Sequence, residues 1–324
     1  MTDMARYMKF NDQPPLLRLL IAFSIVVVAG TLFFWFFLYA GSVFMGVTPA
    51  RMIQLPGGVA DEQAEIIIKY LQFSQHVGVF LLPAIITGWM FSSRGFSVLG
   101  LGRHPLPSGI VLVVLAGLII IPVIDFTSAI NSKLVLHGSL SGVQEWIRAR
   151  EDTASKLTGV LVSSEGMPSL LVNYFLIAIL PAISEEMLFR GILQKLLNDL
   201  FRSGHAAVWV TAIIFSSIHL QFFGFLPRLI LGLLFGYLFY WSGNLWYPVT
   251  AHFVNNAIPV TIAYFSGNNQ VTGAGEVKSL SFLFMAGASS VVVAVILYFF
   301  RKLYSGNSAA PSSGATVSNA GDNT

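Results

Sequence analysis

The sequence predicts an all-α fold: a polytopic transmembrane helix bundle with short interfacial helices. Of its 324 residues, 55% are hydrophobic and only 10% are charged, whereas soluble domains carry about 25% charged residues. Apolar runs recur along most of the chain, and roughly 20 consecutive apolar residues suffice to cross the hydrocarbon core of a bilayer. Together these observations indicate that the chain is folded in lipid.

About eight segments qualify as membrane spans. The first extends from Leu16 to about Val47. It exceeds the apolar region of a signal peptide, about 7–15 residues, and no small-residue cleavage site follows, so we expect a retained helix. Short loops join most of the later spans, which predicts antiparallel neighbours. Pro181 lies inside the fourth span and predicts a kink there. The other spans are expected near 71–91, 108–130, 169–198, 204–223, 226–243, 245–265 and 280–300.

Three stretches are too polar to be spans. Residues 48–70 combine a polar linker with an amphipathic helix start, and residues 131–165 have the pattern of an interfacial helix. The small, polar tail 305–324 is predicted to be disordered. We therefore divide the chain into N-terminal membrane helices with interfacial segments (1–168), a second helix bundle (169–304) that holds the motifs described below, and the tail.

Charge and cysteine content exclude several classes of function. The net charge is +3, and the 18 Lys and Arg residues are scattered at predicted helix ends. This distribution favours contact with lipid headgroups and argues against a nucleic-acid partner. Because the chain has no cysteine, disulfides, thiol nucleophiles and thiolate metal sites are excluded. The Lys and Arg pattern predicts that both termini are cytoplasmic, at the plasma (inner) membrane if the chain is bacterial.

The fourth span contains the motif Glu-Glu-Met-Leu-Phe-Arg, residues 185–190. Ionisable residues inside spans are costly and usually functional. Glu186 and Arg190 are four residues apart, so they share a helix face and are expected to pair. Glu185 lies about 100° around the helix and has no partner on it. A carboxylate withdrawn from water in this way can act as a general base. The alternative for this motif is a structural ion pair at the membrane surface.

Two more motifs follow on later spans. Phe215 and His219 are one helical turn apart, as are His252 and Asn256. Polar donors aimed into a bundle suit stabilisation of an oxyanion, but they equally suit hydrogen bonds between helices. Each motif alone is better explained by a structural role. Together the three motifs bring a free carboxylate, two imidazoles and a carboxamide into one bundle, and this combination favours a hydrolytic site.

Two other polar residues lie inside predicted spans without belonging to a motif. His76 is in the second span and Asp125 is in the third. We predict a structural role for both, because neither belongs to a motif.

The ordered set EExxxR, FxxxH and HxxxN resembles the signature of the CPBP family of intramembrane proteases. That family includes the type II CAAX prenyl endopeptidases and bacterial Abi or bacteriocin-processing homologues. Residues 240–256 (YWSGNLWYPVTAHFVNN) are also similar to the segment that leads into the last motif of the family. The resemblance covers roughly residues 169–260. It implies a catalytic bundle over 169–304 and an endopeptidase that acts, among membrane lipids, on a membrane-associated or lipidated peptide or protein.

The resemblance also implies roles for individual residues. Glu185 and His219 would activate the attacking water, and His252 with Asn256 would stabilise the tetrahedral oxyanion. The family is commonly classed as metallo-, which implies an alternative in which Glu185, His219 and His252 bind a divalent metal such as zinc. The nucleophile is a water in both alternatives. The supporting residues would be Glu186, Arg190 and Phe215.

Other functions fit the sequence less well. No GxSxG motif surrounds a suitable serine, and no pair of intramembrane aspartates occurs in a recognisable setting. A non-enzymatic membrane protein, such as a bacteriocin-immunity or binding factor or a scaffold, is the main alternative. A proton-coupled transporter ranks third, because buried carboxylates and histidines also form proton relays. Transporters often show two corresponding halves, and here the motifs occur only in the second half.

Overall fold

The computed structural model describes residues 12–54, 62–91, 99–133, 138, 141–162, 166–266 and 280–305. Within these ranges the chain is helical and contains no strand, which confirms the all-α prediction. Three π-helical segments interrupt the longer helices, at His76–Leu81, Tyr174–Ile179 and Phe189–Leu193. The α-helices are α1 Pro15–Met45, α2 Pro49–Gln54, α3 Glu62–Gln75, α4 Leu82–Met90, α5 Pro107–Ile119, α6 Ile121–Asn131, α7 Ser141–Val162, α8 Gly166–Asn173, α9 Leu180–Leu188, α10 Gln194–Phe201, α11 Gly204–Ser217, α12 Phe225–Ser242, α13 Trp246–Phe265 and α14 Leu280–Ser305.

Six helices in the described part of the chain are long and apolar enough to cross a membrane. All eight predicted spans are present as helices, but α11 is short, with 14 residues. Helix α13 is outside the set of six because polar residues such as His252 and Asn256 interrupt its apolar sequence. The expected number of eight spans is therefore only approximate. The six are Pro15–Met45, Gln63–Met90, Pro107–Asn131, Gly166–Phe201, Phe225–Ser242 and Leu280–Ser305.

The outer helices α1 and α14 present large apolar side chains to the surroundings. Phe44 of α1 and Phe284 of α14 are 89% and 75% exposed, and many of their apolar neighbours are also exposed. In water, an apolar surface of this extent would be an aggregation or interaction site. In a bilayer it is the expected surface of a spanning helix. The chain is an integral membrane protein, while the cytoplasmic position of both termini stays a prediction.

Both halves of the chain contribute to one core. A single buried apolar cluster contains Ala22 of α1, Phe80 of the first π-helical segment, Ala182 of α9 and Phe215 of α11. The N-terminal helices therefore pack directly against the helices that hold the motifs. The predicted division of the chain near residue 168 stays a prediction. The predicted disorder of the tail concerns residues 306–324, which lie outside the described part of the chain.

The predicted interfacial helix is present as α7, which is 22 residues long. Glu151 of α7 accepts a hydrogen bond from the backbone N–H of Phe223, at 2.8 Å. This bond docks α7 onto the loop between α11 and α12. The polar stretch 131–165 is therefore attached to the bundle close to the end of the second motif.

The irregularity expected at Pro181 is a π-helical segment, Tyr174–Ile179, that comes immediately before α9. Proline has no N–H, so in an α-helix the carbonyl four residues earlier, that of Ile177, would lose its donor. Asn256 of α13 donates a hydrogen bond to this carbonyl at 3.1 Å. In a membrane such a carbonyl has no water to bind. The interruption at Pro181 therefore becomes a point of attachment for α13.

Two glycines let α12 approach its neighbours closely. A Cβ atom on Gly232 would lie 3.0 Å from the Cβ of Ala212 in α11, and one on Gly236 would lie 2.9 Å from Val208. Small residues four apart are a common way to bring membrane helices together. The carbonyls of the same glycines accept hydrogen bonds from Arg190 and from Gln194 of α10, both at 3.0 Å.

We expect Gly232→Leu to destabilise the bundle, because the new side chain would push α11 away from α12. Overpacking of this kind typically costs about 1–3 kcal/mol. The control is Gly287→Leu on α14, where a Cβ atom would meet no atom within 4 Å. Thermal unfolding of both purified variants in detergent, followed by tryptophan fluorescence, should show a lowered Tm for Gly232→Leu alone. Equal shifts in the two variants would contradict the close approach.

Candidate active site

A cavity of about 420 Å³ lies between the helices that hold the three motifs. Glu185, His219, His252 and Asn256, the four residues predicted to be catalytic, all line it. Phe215 lines it as well. The three motifs, separated in sequence by as much as 70 residues, therefore meet at one cavity inside the bundle, whose walls mix charged, polar and apolar side chains.

The predicted ion pair between Glu186 and Arg190 is present and fully buried. The Nη1 atom of Arg190 lies 2.7 Å from Oε1 of Glu186, and both side chains are 0% exposed. The guanidinium is also held between two aromatic rings, 4.8 Å from the centre of Phe215 and 5.3 Å from that of Phe235. Its Nη2 donates to the carbonyl of Gly232. This pair therefore lies in the interior of the bundle.

Glu186 has a second partner that helical spacing does not reveal. Nδ1 of His252 lies 2.9 Å from Oε1 of Glu186. A carboxylate accepts hydrogen bonds, so Nδ1 of this imidazole carries the hydrogen, and Nε2 of the neutral ring is an acceptor. The ring of His252 stacks on Phe235, with centroids 5.0 Å apart. The bond to Glu186 thus fixes the tautomer of His252, and this bond together with the stacking on Phe235 fixes the orientation of the ring.

Glu185 is buried in the cavity wall but is not tied down by either neighbouring imidazole. Its Oε1 is 3.7 Å from Nδ1 of His76, and its Oε2 is 3.9 Å from Nε2 of His252. Both distances exceed a hydrogen bond. Glu185 therefore faces the cavity as the sequence predicts, with its oxygens available to a water or a substrate.

His219 lies just beyond α11 and not within a span, which corrects the predicted span 204–223. Helix α11 ends at Ser217, and the chain turns at Leu220, whose φ of 52° is in the left-handed region. Nδ1 of His219 is 2.8 Å from the carbonyl of Phe215. The carbonyl can only accept, so Nδ1 donates and Nε2 is left as an acceptor for a ligand in the cavity.

Asn256 has a structural partner in addition to its place in the cavity wall. One hydrogen of its Nδ2 is used by the carbonyl of Ile177, and its Oδ1 lies 3.2 Å from Nδ2 of Asn255. An amide nitrogen has two hydrogens, so one remains for a ligand. The contact between helices, which the sequence offered as the alternative for this motif, is present, and the role in oxyanion stabilisation stays a prediction.

Residues outside the motifs also line the cavity, among them His76, Thr158 and Arg228. His76, predicted to be structural, comes from the first half of the chain, Thr158 comes from α7, and Arg228 comes from the first turn of α12. Both terminal nitrogens of Arg228 donate to Gln221, to its side-chain and backbone oxygens. The only sequence signal for His76 was its position within an apolar span. Asp125 is exposed on α6 and does not line the cavity.

The residues predicted to bind zinc do not fit a metal site in this arrangement. Among the residues that the structure describes, no three His, Asp or Glu side chains converge as ligands. In the suggested set of Glu185, His219 and His252, both imidazoles hold Nδ1 on protein acceptors and keep Nε2 free, as metal-bound histidines do, but the three side chains do not converge on one position. A catalytic zinc takes three protein ligands that point at one centre. No step below therefore runs through a metal.

We expect Arg190→Met to destabilise the protein strongly, because it leaves the carboxylate of Glu186 buried without a cation. Breaking one partner of a buried pair costs about 3–5 kcal/mol. The control is Lys69→Met, which removes a pair with Glu65 whose carboxylate is 38% exposed, and such exposed pairs contribute less than about 1 kcal/mol. Urea or thermal unfolding in detergent measures both changes. Similar losses for the two variants would contradict the central position of Arg190.

Comparisons with known proteins cover the part of the chain that holds the three motifs. Residues 167–258 match the model of a protein family described as type II CAAX prenyl endopeptidase Rce1-like. The uncharacterized protein YpbD of Bacillus subtilis (strain 168) is 28% identical over 120 residues, which is 36% of this chain and 57% of that relative. The match thus spans little more than half of the relative. No solved structure matches the chain significantly.

The matched region contains all three motifs and the four predicted catalytic residues, and it excludes His76, Thr158 and the other residues of the first half. The resemblance drawn from the motifs is therefore confirmed over residues 167–258, which match the model of the type II CAAX prenyl endopeptidase Rce1-like family.

Proposed function

We propose that this chain is an intramembrane endopeptidase that hydrolyses a peptide bond in a membrane-associated or lipidated peptide. The observation that carries the proposal is the position of Glu185, a carboxylate that faces a cavity in the bundle beside three imidazoles and has no direct bond to those of His76 and His252. The family match of the surrounding segment supports a peptidase. A carboxylate placed in this way is suited to remove a proton from water.

In the proposed reaction, Glu185 is the general base. It takes a proton from a water whose oxygen attacks the carbonyl carbon of the scissile bond, and a tetrahedral intermediate forms. Nε2 of His219 accepts a hydrogen bond from the other O–H of that water and thereby orients it. This nitrogen is available because Nδ1 donates to the carbonyl of Phe215. The proton then passes from Glu185 to the leaving nitrogen as the C–N bond breaks. No covalent enzyme intermediate is required.

The oxyanion of the intermediate needs hydrogen-bond donors in the cavity wall. Asn256 supplies the remaining hydrogen of its amide nitrogen. Neutral His252 cannot donate from Nε2, because its hydrogen is on Nδ1 against Glu186. A donor role for His252 requires a ring that carries a second proton, taken from bulk solvent before hydrolysis begins and kept throughout it; Nε2 then donates, and Glu186 stabilises the imidazolium from the other side. The same logic of base, imidazole and buried carboxylate operates in serine hydrolases.

The shape of the cavity supports a short, extended substrate. Its volume of about 420 Å³ admits a few residues of chain but no folded domain. Apolar walls suited to aliphatic side chains alternate with polar groups that can bind a peptide backbone. A lipid attached to the peptide would remain in the surrounding bilayer. The apolar lining residues are Phe80, Ile177, Pro181, Phe215, Ile218, Leu231, Phe235 and Pro259.

We expect Glu185→Gln to lower kcat/KM by about 10²–10⁴-fold, the usual contribution of a general base. The assay uses protein reconstituted in liposomes and an internally quenched farnesylated peptide with a C-terminal CAAX sequence, beside the same peptide without the lipid. Mass spectrometry locates the cleaved bond. The matched control is Asp125→Asn, an acidic residue outside the cavity, which should retain full activity.

Two results would count against this assignment. Full activity of Glu185→Gln would remove Glu185 from the reaction. Absence of cleavage by the wild-type protein, together with a lowered folding yield for Glu185→Gln, would favour the non-enzymatic alternative, in which the motif residues serve stability alone.

Removal of divalent metals should leave the peptidase activity unchanged, because the donor set does not converge on a metal position. The test combines elemental analysis of the purified protein with the peptide assay before and after treatment with EDTA and 1,10-phenanthroline. Loss of activity that is restored by added Zn²⁺ would instead assign the attacking water to a metal ion.

A further inference from the structure

His76 belongs to the part of the chain that has no family match, yet it faces the proposed general base. It begins the π-helical segment His76–Leu81 in the second span, and its side chain is only 6% exposed. The ring stacks on Phe80, with centroids 5.5 Å apart. Nδ1 of His76 is 3.7 Å from Oε1 of Glu185, so its imidazole is at least as close to that carboxylate as the ring of His252, a motif residue, is.

The tautomer of His76 follows from its neighbours. Nε2 of the ring lies 3.0 Å from the amide nitrogen of Gln72, one turn earlier in α3. An amide nitrogen only donates, so Nε2 accepts and Nδ1 carries the hydrogen. This hydrogen faces two acceptors on consecutive residues of α9: Oγ of Ser184 at 3.3 Å and Oε1 of Glu185. Ser184 uses its own hydrogen on the carbonyl of Leu180, at 2.7 Å, so its oxygen is free to accept.

Among the residues that the structure describes, none besides His76 offers a donor close to Oε1 of Glu185. The nearest cation on its own helix, Arg190, is committed to Glu186 and Gly232. On the far side of the cavity, Arg228 donates both terminal nitrogens to Gln221. The titratable and charged groups that face Glu185 from its own and the packed elements are His76, His219, His252, Glu186, Arg190 and Arg228.

We propose that His76 is a positioning residue that holds Oε1 of Glu185 through its Nδ1–H, so that Oε2 is presented to the attacking water. The separation of 3.7 Å becomes a hydrogen bond when the carboxylate moves by less than about 1 Å, and hydrogen bonds of catalytic groups commonly tighten when substrate binds. Gln72 keeps the hydrogen on Nδ1, and Phe80 keeps the ring in place. The second span thereby supplies a part of the site that the matched segment lacks.

This inference rests on the proposed hydrolysis, so the experiment must separate the two. The decisive pair of variants is His76→Asn and His76→Phe. Asparagine places an N–H close to the position of Nδ1 but loses the ring, whereas phenylalanine keeps the ring on Phe80 but loses the donor. A structural role in packing predicts that phenylalanine is the better replacement. A positioning role predicts the reverse.

We expect His76→Phe to lower kcat by about 10–100-fold with little change in KM, the effect of losing one hydrogen bond to a charged group. His76→Asn should retain kcat within about 3-fold of the wild type on the same scale. Both are assayed with the internally quenched farnesylated peptide in liposomes, beside Glu185→Gln, and the Tm of each variant is recorded. Ser184→Ala, which removes the competing acceptor, should keep full activity.

The outcomes separate cleanly. If His76→Phe is as active as the wild type, or if it exceeds His76→Asn, the positioning role is wrong although Glu185 can still be the base. If Glu185→Gln is fully active, Glu185 is not the general base and the positioning role is wrong as well; if the wild-type protein cleaves no peptide, the proposed function itself is wrong. If His76→Phe does not fold, Gln72→Leu provides the second test. This variant keeps the histidine but removes the donor that holds its hydrogen on Nδ1. A lowered kcat at unchanged Tm supports the role, and an unchanged kcat overturns it.

Discussion

The fully buried guanidinium of Arg190 is the interaction on which the arrangement of the site depends. A charge in the interior of a membrane bundle is costly unless it is paired and hydrogen-bonded. Here the pairing needs Glu186 from α9, the ring of Phe215 from α11, and both the ring of Phe235 and a backbone carbonyl from α12. These contacts tie the three helices to one another at the guanidinium. Through Glu186, the same charge also fixes His252 on α13.

The burial of Arg190 gives two adjacent carboxylates, those of Glu186 and Glu185, different surroundings. Glu186 is turned toward the interior, where Arg190 and His252 use its Oε1. Glu185, one residue earlier and about 100° around the helix, is turned toward the cavity and has no bond to the nearby imidazoles. The first carboxylate is structural because Arg190 and His252 both hold its Oε1. The second is suited to chemistry because its neighbours orient it without neutralising it, and we propose that His76 contributes to this orientation.

The spacing of residues along the sequence is sufficient to predict some of these contacts but not the others. The pair of Glu186 with Arg190 and the different direction of Glu185 follow from the period of a helix. The bond from His252 to Glu186 depends on how α9 and α13 are rotated against each other, which no local pattern specifies. His76 was assigned a structural role because its contact with Glu185 joins residues 109 positions apart in the chain.

The number of spans shows the same limit. The lengths of the apolar runs predicted helices at all eight places. In two of these helices, however, residues of the site shorten or break the apolar sequence. Helix α11 ends before His219, and α13 is made polar by His252, Asn255 and Asn256. An irregular helix at Pro181 can be predicted from the sequence. The residue that binds the carbonyl left free there cannot. Only the fold shows that Asn256 binds the carbonyl that a proline at this position leaves free.

The central claim is that a peptide bond is hydrolysed in the cavity beside Glu185. The most direct measurement is an experimental structure of the Glu185→Gln variant in a lipid nanodisc with the farnesylated peptide bound. The account predicts that the scissile carbonyl lies in the cavity between residue 185 and Asn256, with its carbonyl carbon within reach of a water bound to residue 185 and His219. A peptide bound outside this cavity, or bound with no peptide bond near residue 185, would contradict it.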